Sequence, residues 1–401
     1  MVSKEEIIRN GIMKGTSESD NTSRLRELFR QCSIGKEITI AFIGGSITAG
    51  CHAEPKETAC FAARVVAWWK EKFPKAKINY INAGIGATDS WLGVHRVRRD
   101  VMVYNPALVF VEFSVNDEHP WNEETYDSLI KVLIESESRP AIIPVMLAHK
   151  SGSFADKHLK PIKKYQLPAI SYSNLLAGGF VDWDEVGSED EVHPKTEGHE
   201  LIAELITTFL NDEYINLLPQ SPTESPVRDT TEDWAEDLTD DRAQNMTEDQ
   251  AEDRAQNRDI TPAKYLESDI LYSDELEPYI CDGFEAADVT EWLSRNRGWR
   301  TDSAGTISFR IKSREIGIIW LQKKSDREGY ADYELIIDDE KCGLLKGSDP
   351  ESWGDHLEYL AEFFDGEATE HTVILRPDSS GNKESSESGG CFEILGIAVT
   401  G

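Results

Sequence analysis

Nowhere does the sequence contain a run of about 18 apolar residues, the length a helix needs to cross a bilayer. Met1 to Asn10 lacks the apolar core of a secretory signal, so the chain is expected to be cytoplasmic with no membrane partner. Positive charge is scarce: 42 Lys and Arg stand against 74 Asp and Glu, a formal net charge of −32. With no basic patch, nucleic acid and anionic membrane surfaces are disfavoured as partners. The six cysteines have no CxxC spacing, which fits reduced thiols better than a disulfide framework or a zinc site; Cys51 and Cys60 are the one pair that could lie close. Neither Walker-type GxxxxGK[ST] nor GxGxxG occurs, so the glycine-rich turn at Gly44-Gly45 matches neither nucleotide-binding pattern.

What is present changes character along the chain. Up to residue 219, apolar β-branched runs alternate with helical patterns. The runs are Ile38 to Ile43, Ile78 to Ile81, Leu108 to Phe113, Ile142 to Leu147 and a weak one at Ala169 to Tyr172. The helical stretches are Thr58 to Phe73, Ser90 to Tyr104, Glu123 to Ser136 and Lys195 to Leu210. That alternation predicts a parallel sheet covered by helices on both faces, α/β in class. Residues 220–262 hold a proline cluster and an acidic tract with Asp-Arg-Ala-Gln-Asn at 241–245 and again at 253–257, read as a solvated linker. From 263 to 401, period-two strands separated by turn signals predict an all-β sandwich, jelly-roll-like.

Candidate chemistry collects at strand ends. Gly44-Gly45-Ser46-Ile47-Thr48 closes the first strand and places Ser46 at the carboxyl edge of the sheet, where open α/β folds bind ligands. The second strand runs into Asn82-Ala83-Gly84-Ile85-Gly86-Ala87-Thr88, and the third into Glu112-Phe113-Ser114-Val115-Asn116-Asp117. In a sheet of order 2-1-3-4-5 these loops flank Ser46 and offer an oxyanion its N–H donors. A serine hydroxyl also needs a base, and the base needs a carboxylate to fix its tautomer. Asp190 and His193, three apart before the last helical stretch, supply both. Of the other histidines, His149 and His158 read as surface or loop residues, while His95 and His199 fall in helical patterns.

These four blocks, in order, resemble the signature blocks of the SGNH (GDSL-like) hydrolase superfamily over about residues 35–212. The resemblance implies a flavodoxin-like three-layer domain with a five-stranded parallel sheet, no metal and no organic cofactor. It implies Ser46 as nucleophile, His193 as base and Asp190 as its orienter, with the Ser46 amide, a second-block amide at Ala87 or Gly86 and the Asn116 side chain as the oxyanion hole. Two positions depart from the usual pattern: Ala87 stands where a glycine is common, and Ser114 replaces the glycine before Asn116. Arg9 to Thr16 upstream and the β-domain downstream are similar to bacterial carbohydrate acetylesterases acting on hemicellulose oligosaccharides. Acetylated mannan or xylan oligosaccharides are the substrates this implies. A lysophospholipase or thioesterase, a sugar O-acetyltransferase, and an inactive sugar-binding protein remain open alternatives.

Trp91 and Trp121 follow the second and third blocks and are candidates to stack on a sugar face, with core packing the competing reading. Trp292, Trp299, Trp320 and Trp353 in the β-domain fit a core equally well. A neutral histidine base predicts kcat/KM falling on the acid side at about pH 6–7. Because every candidate catalytic residue precedes 200, residues 263–401 are expected to select substrate without taking part in bond cleavage.

Overall fold

The computed structural model describes residues 3–16, 19–218, 264–289, 292–293, 295–303, 305–325, 329–378 and 390–401. The acidic tract read as a linker lies outside the described residues. No helix among them is long and apolar enough to cross a membrane.

The first part is an α/β unit. Strands β2 (Glu37–Gly44), β3 (Lys77–Gly84), β4 (Leu108–Glu112), β5 (Ala141–Met146) and β6 (Ala169–Ser171) lie parallel in the order β3-β2-β4-β5-β6. A two-residue strand, β1 (Ile12–Met13), adds to β6 in antiparallel fashion and makes a sixth that the five-stranded expectation lacked. β4 and β5 are buried on both faces, as continuous apolar runs in a covered parallel sheet must be. One face is covered by α2 (Asp20–Ser33), α5 (Phe61–Lys72) and α11 (Thr196–Leu217), whose Phe29, Trp69 and Phe209 pack with Phe42 and Phe110 of the sheet. The other carries α6 (Ser90–Asp100), α7 (Asn122–Glu135) and α8 (Asp156–Lys164).

The second part is all-β and built from two antiparallel sheets. One joins β15 (His356–Phe363), β12 (Glu315–Gln322), β17 (Phe392–Thr400), β10 (Gly298–Thr301) and β9 (Glu285–Ala287), with β7 (Ser268–Leu271) also on β17. The other has the order β14 (Glu340–Leu345), β13 (Tyr333–Ile337), β16 (Thr369–Pro377), β11 (Thr306–Ser313), β8 (Ile280–Asp282). Trp299 and Trp320 lie in the core between the sheets, whereas Trp353 is 68% and Trp292 39% exposed.

These two parts share a core. Every residue of β12 is buried: Ile316, Ile318 and Trp320 face the sandwich interior, while Ile319 and Leu321 pack with Trp91, Val94 and Leu129 of the α/β unit. Helix α6 is therefore covered on both sides, and all residues from Ser90 to Val97 are buried. Gly317 is required by this approach, because a Cβ there would come within 2.6 Å of the Trp91 ring. At the rim Arg99 pairs with Asp269 through Nε and Nη2 and with Glu275 through Nη1 at 2.9 Å. Removing residues 220–401 would strip this cover and expose a large apolar patch, so the β-domain is packed into the α/β unit rather than merely appended to it.

Candidate active site

Ser46 opens a four-residue helix, α3 (Ser46–Ala49), directly after β2. Gly45 ahead of it has no room for a side chain: a Cβ would lie 2.8 Å from Asn116 Nδ2. Asn116 is held by donating Nδ2 to the Thr88 carbonyl at 2.9 Å, which joins the third-strand loop to the second. Ala87 adopts the left-handed conformation, φ +57°, the backbone that explains why glycine suits this position. Gly86 sits against Ser46, its Cβ position 3.8 Å from Ser46 Cβ. Ser114 replaces glycine with a use for its hydroxyl, which bridges the Leu147 carbonyl (2.9 Å) and amide (2.7 Å) across β4 and β5.

The histidine loop closes the arrangement. Ser46 Oγ lies 2.8 Å from His193 Nε2, and His193 Nδ1 lies 2.6 Å from Asp190 Oδ2. The other Asp190 oxygen accepts from the amides of Val192 and His193, both at 2.9 Å, and from the Ser188 hydroxyl at 2.6 Å. Burial alone raises the Asp190 carboxyl, but these hydrogen bonds together outweigh it and hold the group well below the ordinary carboxylate range. The carboxylate is therefore ionised at any working pH. The His193 side chain is 18% and that of Asp190 36% exposed, so both are open to solvent. A cavity of about 570 Å³ beside this loop is lined by His52, Lys150, Trp183, Asp184, Ser188 and Lys195.

Two supporting residues, Arg96 and Asp89, have no place in the sequence blocks, and a third, Glu112, stands in the third block without a role assigned to it. Arg96, fully buried on α6, donates to the carbonyls of Ala83 (2.7 Å) and Gly44 (3.1 Å), tying together the ends of β3 and β2, and pairs with Asp100 at 2.9 Å. Glu112 at the end of β4 accepts from the Gly45 amide (3.3 Å) and the Thr48 hydroxyl (2.9 Å) through one oxygen; desolvation pushes its carboxyl up to about 7. Asp89 caps α6 by accepting from the Leu92 amide, and its second oxygen takes Asn122 Nδ2 (2.9 Å) and the Tyr359 hydroxyl (2.7 Å) of the β-domain. An Asp one residue after Thr88, ahead of a helical pattern, was the available signal for a cap.

Two expectations fail here. Trp91 is fully buried, stacked on Tyr359 with centroids 4.0 Å apart, and its indole N–H donates to Glu315, so it cannot meet a sugar. His158 is not a surface residue: it is buried on α8 against Tyr126, with Nε2 2.6 Å from Asp117 Oδ2, and burial drives its imidazole down to about 3. Trp121 is partly buried and stacks on His119, centroids 4.4 Å apart. All six cysteines are free thiols.

Residues 42–201 match the GDSL-like lipase/acylhydrolase family. No curated protein matches the sequence. Among solved structures, a two-domain esterase (CEX) active on acetylated mannans matches with a TM-score of 0.77 and 26% identity, over 98% of this chain and 98% of that one. The same esterase co-crystallised with mannopentaose gives a TM-score of 0.77 and 26% identity over 98% of this chain and 97% of that one. The match of residues 42–201 to GDSL-like acylhydrolases, and a likeness to a two-domain esterase that runs through both parts of the chain, make this protein a carboxylic ester hydrolase with a C-terminal all-β domain.

Proposed function

We propose that the protein removes O-acetyl groups from carbohydrate, acetylated mannan or xylan oligosaccharides, by two-step acyl transfer to water. The observation that carries this reading is the unbroken hydrogen-bond chain from Ser46 Oγ through His193 to Asp190. His193 Nε2 takes the hydroxyl proton as Ser46 Oγ attacks the ester carbonyl, and Asp190 stabilises the imidazolium. The oxyanion is received by the amides of Ser46 and Ala87 and by Asn116 Nδ2. Collapse of the tetrahedral intermediate breaks the bond to the sugar oxygen, which takes the proton from His193. Water then repeats the sequence on the acetyl-enzyme and releases acetate.

A carbohydrate substrate is favoured by the likeness to the solved esterase that acts on acetylated mannans, and the cavity beside the histidine loop offers charged side chains together with Trp183. We assign residues 1–219 to hydrolysis and 263–401 to holding the substrate side of the site, with 220–262 joining them; Trp121 and the exposed Trp353 are the sugar-stacking candidates. Free thiols throughout accord with a cytoplasmic protein. The test is Ser46→Ala assayed on an activated acetyl ester and, by mass spectrometry, on acetylated manno- and xylo-oligosaccharides. Turnover should fall by at least about 10⁴-fold on all of them with the thermal midpoint unchanged. Retention of a hundredth of the wild-type rate removes Ser46 from the role.

A further inference from the structure

Cys51 and His52 follow the nucleophile turn and serve no step of the reaction above. The Cys51 amide donates to the Ser46 carbonyl at 3.0 Å, and its own carbonyl is 2.9 Å from His199 Nε2, so the segment is tied on both sides. His52 sits at φ +60°, a backbone few non-glycine residues adopt. That turn lays its exposed ring over His193, with centroids 5.4 Å apart and planes 25° from parallel. His52 Nε2 is 3.0 Å from Asp190 Oδ2, the oxygen that His193 Nδ1 approaches at 2.6 Å. One carboxylate oxygen thus holds a nitrogen of each ring and leaves the other nitrogen of each uncommitted to it. Ligand atoms of Cys51, His52 and His193 lie within 4.8 Å of one another.

We propose that Cys51, His52 and His193 form an inhibitory site for a thiophilic divalent cation, zinc above all, whose binding withdraws the imidazole from Ser46. One sulfur and two imidazole nitrogens suit zinc better than magnesium or calcium, which take oxygen ligands. A water fills the fourth tetrahedral position. Zn–S and Zn–N bonds of about 2.3 and 2.0 Å bring ligand atoms closer than the present spacing, and side-chain rotation of His52 and Cys51 supplies the difference. Asp190 already touches one nitrogen of each ring, where a carboxylate orients a histidine whose other nitrogen binds metal.

The balance is simple. Cys51 gives its thiol proton to solvent and its thiolate forms the Zn–S bond. The Nε2 lone pair of His193, which otherwise receives the Ser46 proton, goes to the metal. No atom changes oxidation state. The Ser46 hydroxyl is left without a base, and activity returns when the metal leaves.

This inference rests on the reading of His193 as the base, so its test carries a readout that needs no turnover. Full-length enzyme freed of metal by chelation and dialysis is titrated with zinc chloride on an activated acetyl ester; inhibition should be complete and reversed by EDTA. Cys51→Ser should keep its metal-free rate and need at least tenfold more zinc for half inhibition. Cobalt(II) added to Ser46→Ala should give a thiolate-to-cobalt charge-transfer absorption that disappears in Ser46→Ala/Cys51→Ser. Equal zinc sensitivity in wild type and Cys51→Ser, or a cobalt spectrum unchanged by loss of Cys51, overturns the site. If Cys51→Ser does not fold, Cys51→Ala takes its place in both arms. Undiminished turnover in Ser46→Ala would instead overturn the catalytic assignment, while the cobalt result would still judge the metal site.

Discussion

Histidine meets carboxylate in two settings here, at the rim of the site and in the seam between the two parts, and the second nitrogen separates them. At the rim, Asp190 holds His193 Nδ1 and leaves Nε2 facing a serine hydroxyl. In the seam, His95 has Nδ1 2.8 Å from the Trp91 carbonyl, while Nε2 is 3.3 Å from both Glu315 Oε2 and Thr400 Oγ1. Both ring nitrogens of His95 are spent on fixed partners in a site without solvent, so the ring pins an interface. His193 is partly exposed and has one nitrogen turned to the Ser46 hydroxyl, the arrangement a proton carrier needs. Residue type alone gives the two pairs the same score; what lies on the far nitrogen distinguishes them.

The sharpest way to test that contrast is Asp190→Asn. The amide keeps the size of the carboxylate but presents an N–H to His193 and favours the wrong tautomer, so kcat should drop by on the order of 10⁴-fold, with the thermal midpoint nearly constant. A tenfold loss or less would mean that the rim pair is not the one moving protons. The seam should answer in the opposite currency: Glu315→Ala leaves the Trp91 N–H and the Thr400 hydroxyl without their buried acceptor. A stability loss of about 3–5 kcal/mol is expected by denaturant titration, whereas a stable Glu315→Ala protein would show the seam to be dispensable.

Glu112 extends the comparison to a buried carboxyl whose partners are neutral donors, the Gly45 amide and the Thr48 hydroxyl. Its folded value of about 7 lies above the ordinary 4.5. Below that ordinary value both states are protonated; between the two, only the unfolded chain releases the proton, so stability falls as pH rises and levels off above about 7. Glu112→Gln, whose carbonyl can accept both hydrogen bonds, should match wild type near pH 4.5 and exceed it by roughly 3 kcal/mol at pH 8. Parallel slopes for the two proteins across that window would place the charge elsewhere. The smallest effect belongs to Tyr359→Phe, which keeps the stack on Trp91 and removes only the hydroxyl on Asp89. Losing about 1 kcal/mol of support beneath the Thr88 turn should lower kcat about fivefold and leave KM alone. A change in KM instead would make Tyr359 a substrate contact.

How much of this was legible follows from where each signal resides. That Ser46, Asp190 and His193 come together was readable because each sits in a short local pattern at a strand end or before a helix, and the sheet order supplies the rest. Strands β2 to β6 were found from their β-branched runs. The seam was not found, since Trp91 belongs to a helix with the usual amphipathic spacing and its cover comes from residues more than 200 positions away. The available clue lay in β12: Ile316-Gly317-Ile318-Ile319-Trp320-Leu321 has no polar alternation, which marks a strand buried on both faces. Strand β15, His356-Leu357-Glu358-Tyr359-Leu360-Ala361-Glu362-Phe363, spreads charged residues and helix formers along its length, so propensity pointed away from the sheet that tertiary pairing with β12 imposes.

Helix α6 has a consequence for how the protein comes apart. Its N-terminal cap bonds a tyrosine of the sandwich, its middle carries the arginine that ties β2 to β3, and its last turn grips Asp269. A single element thus belongs to both architectural units, and melting it removes the Ser46 turn's support and the sandwich's docking face together. The two parts, distinct in topology, are expected to unfold as one cooperative unit, with a single transition in a thermal melt.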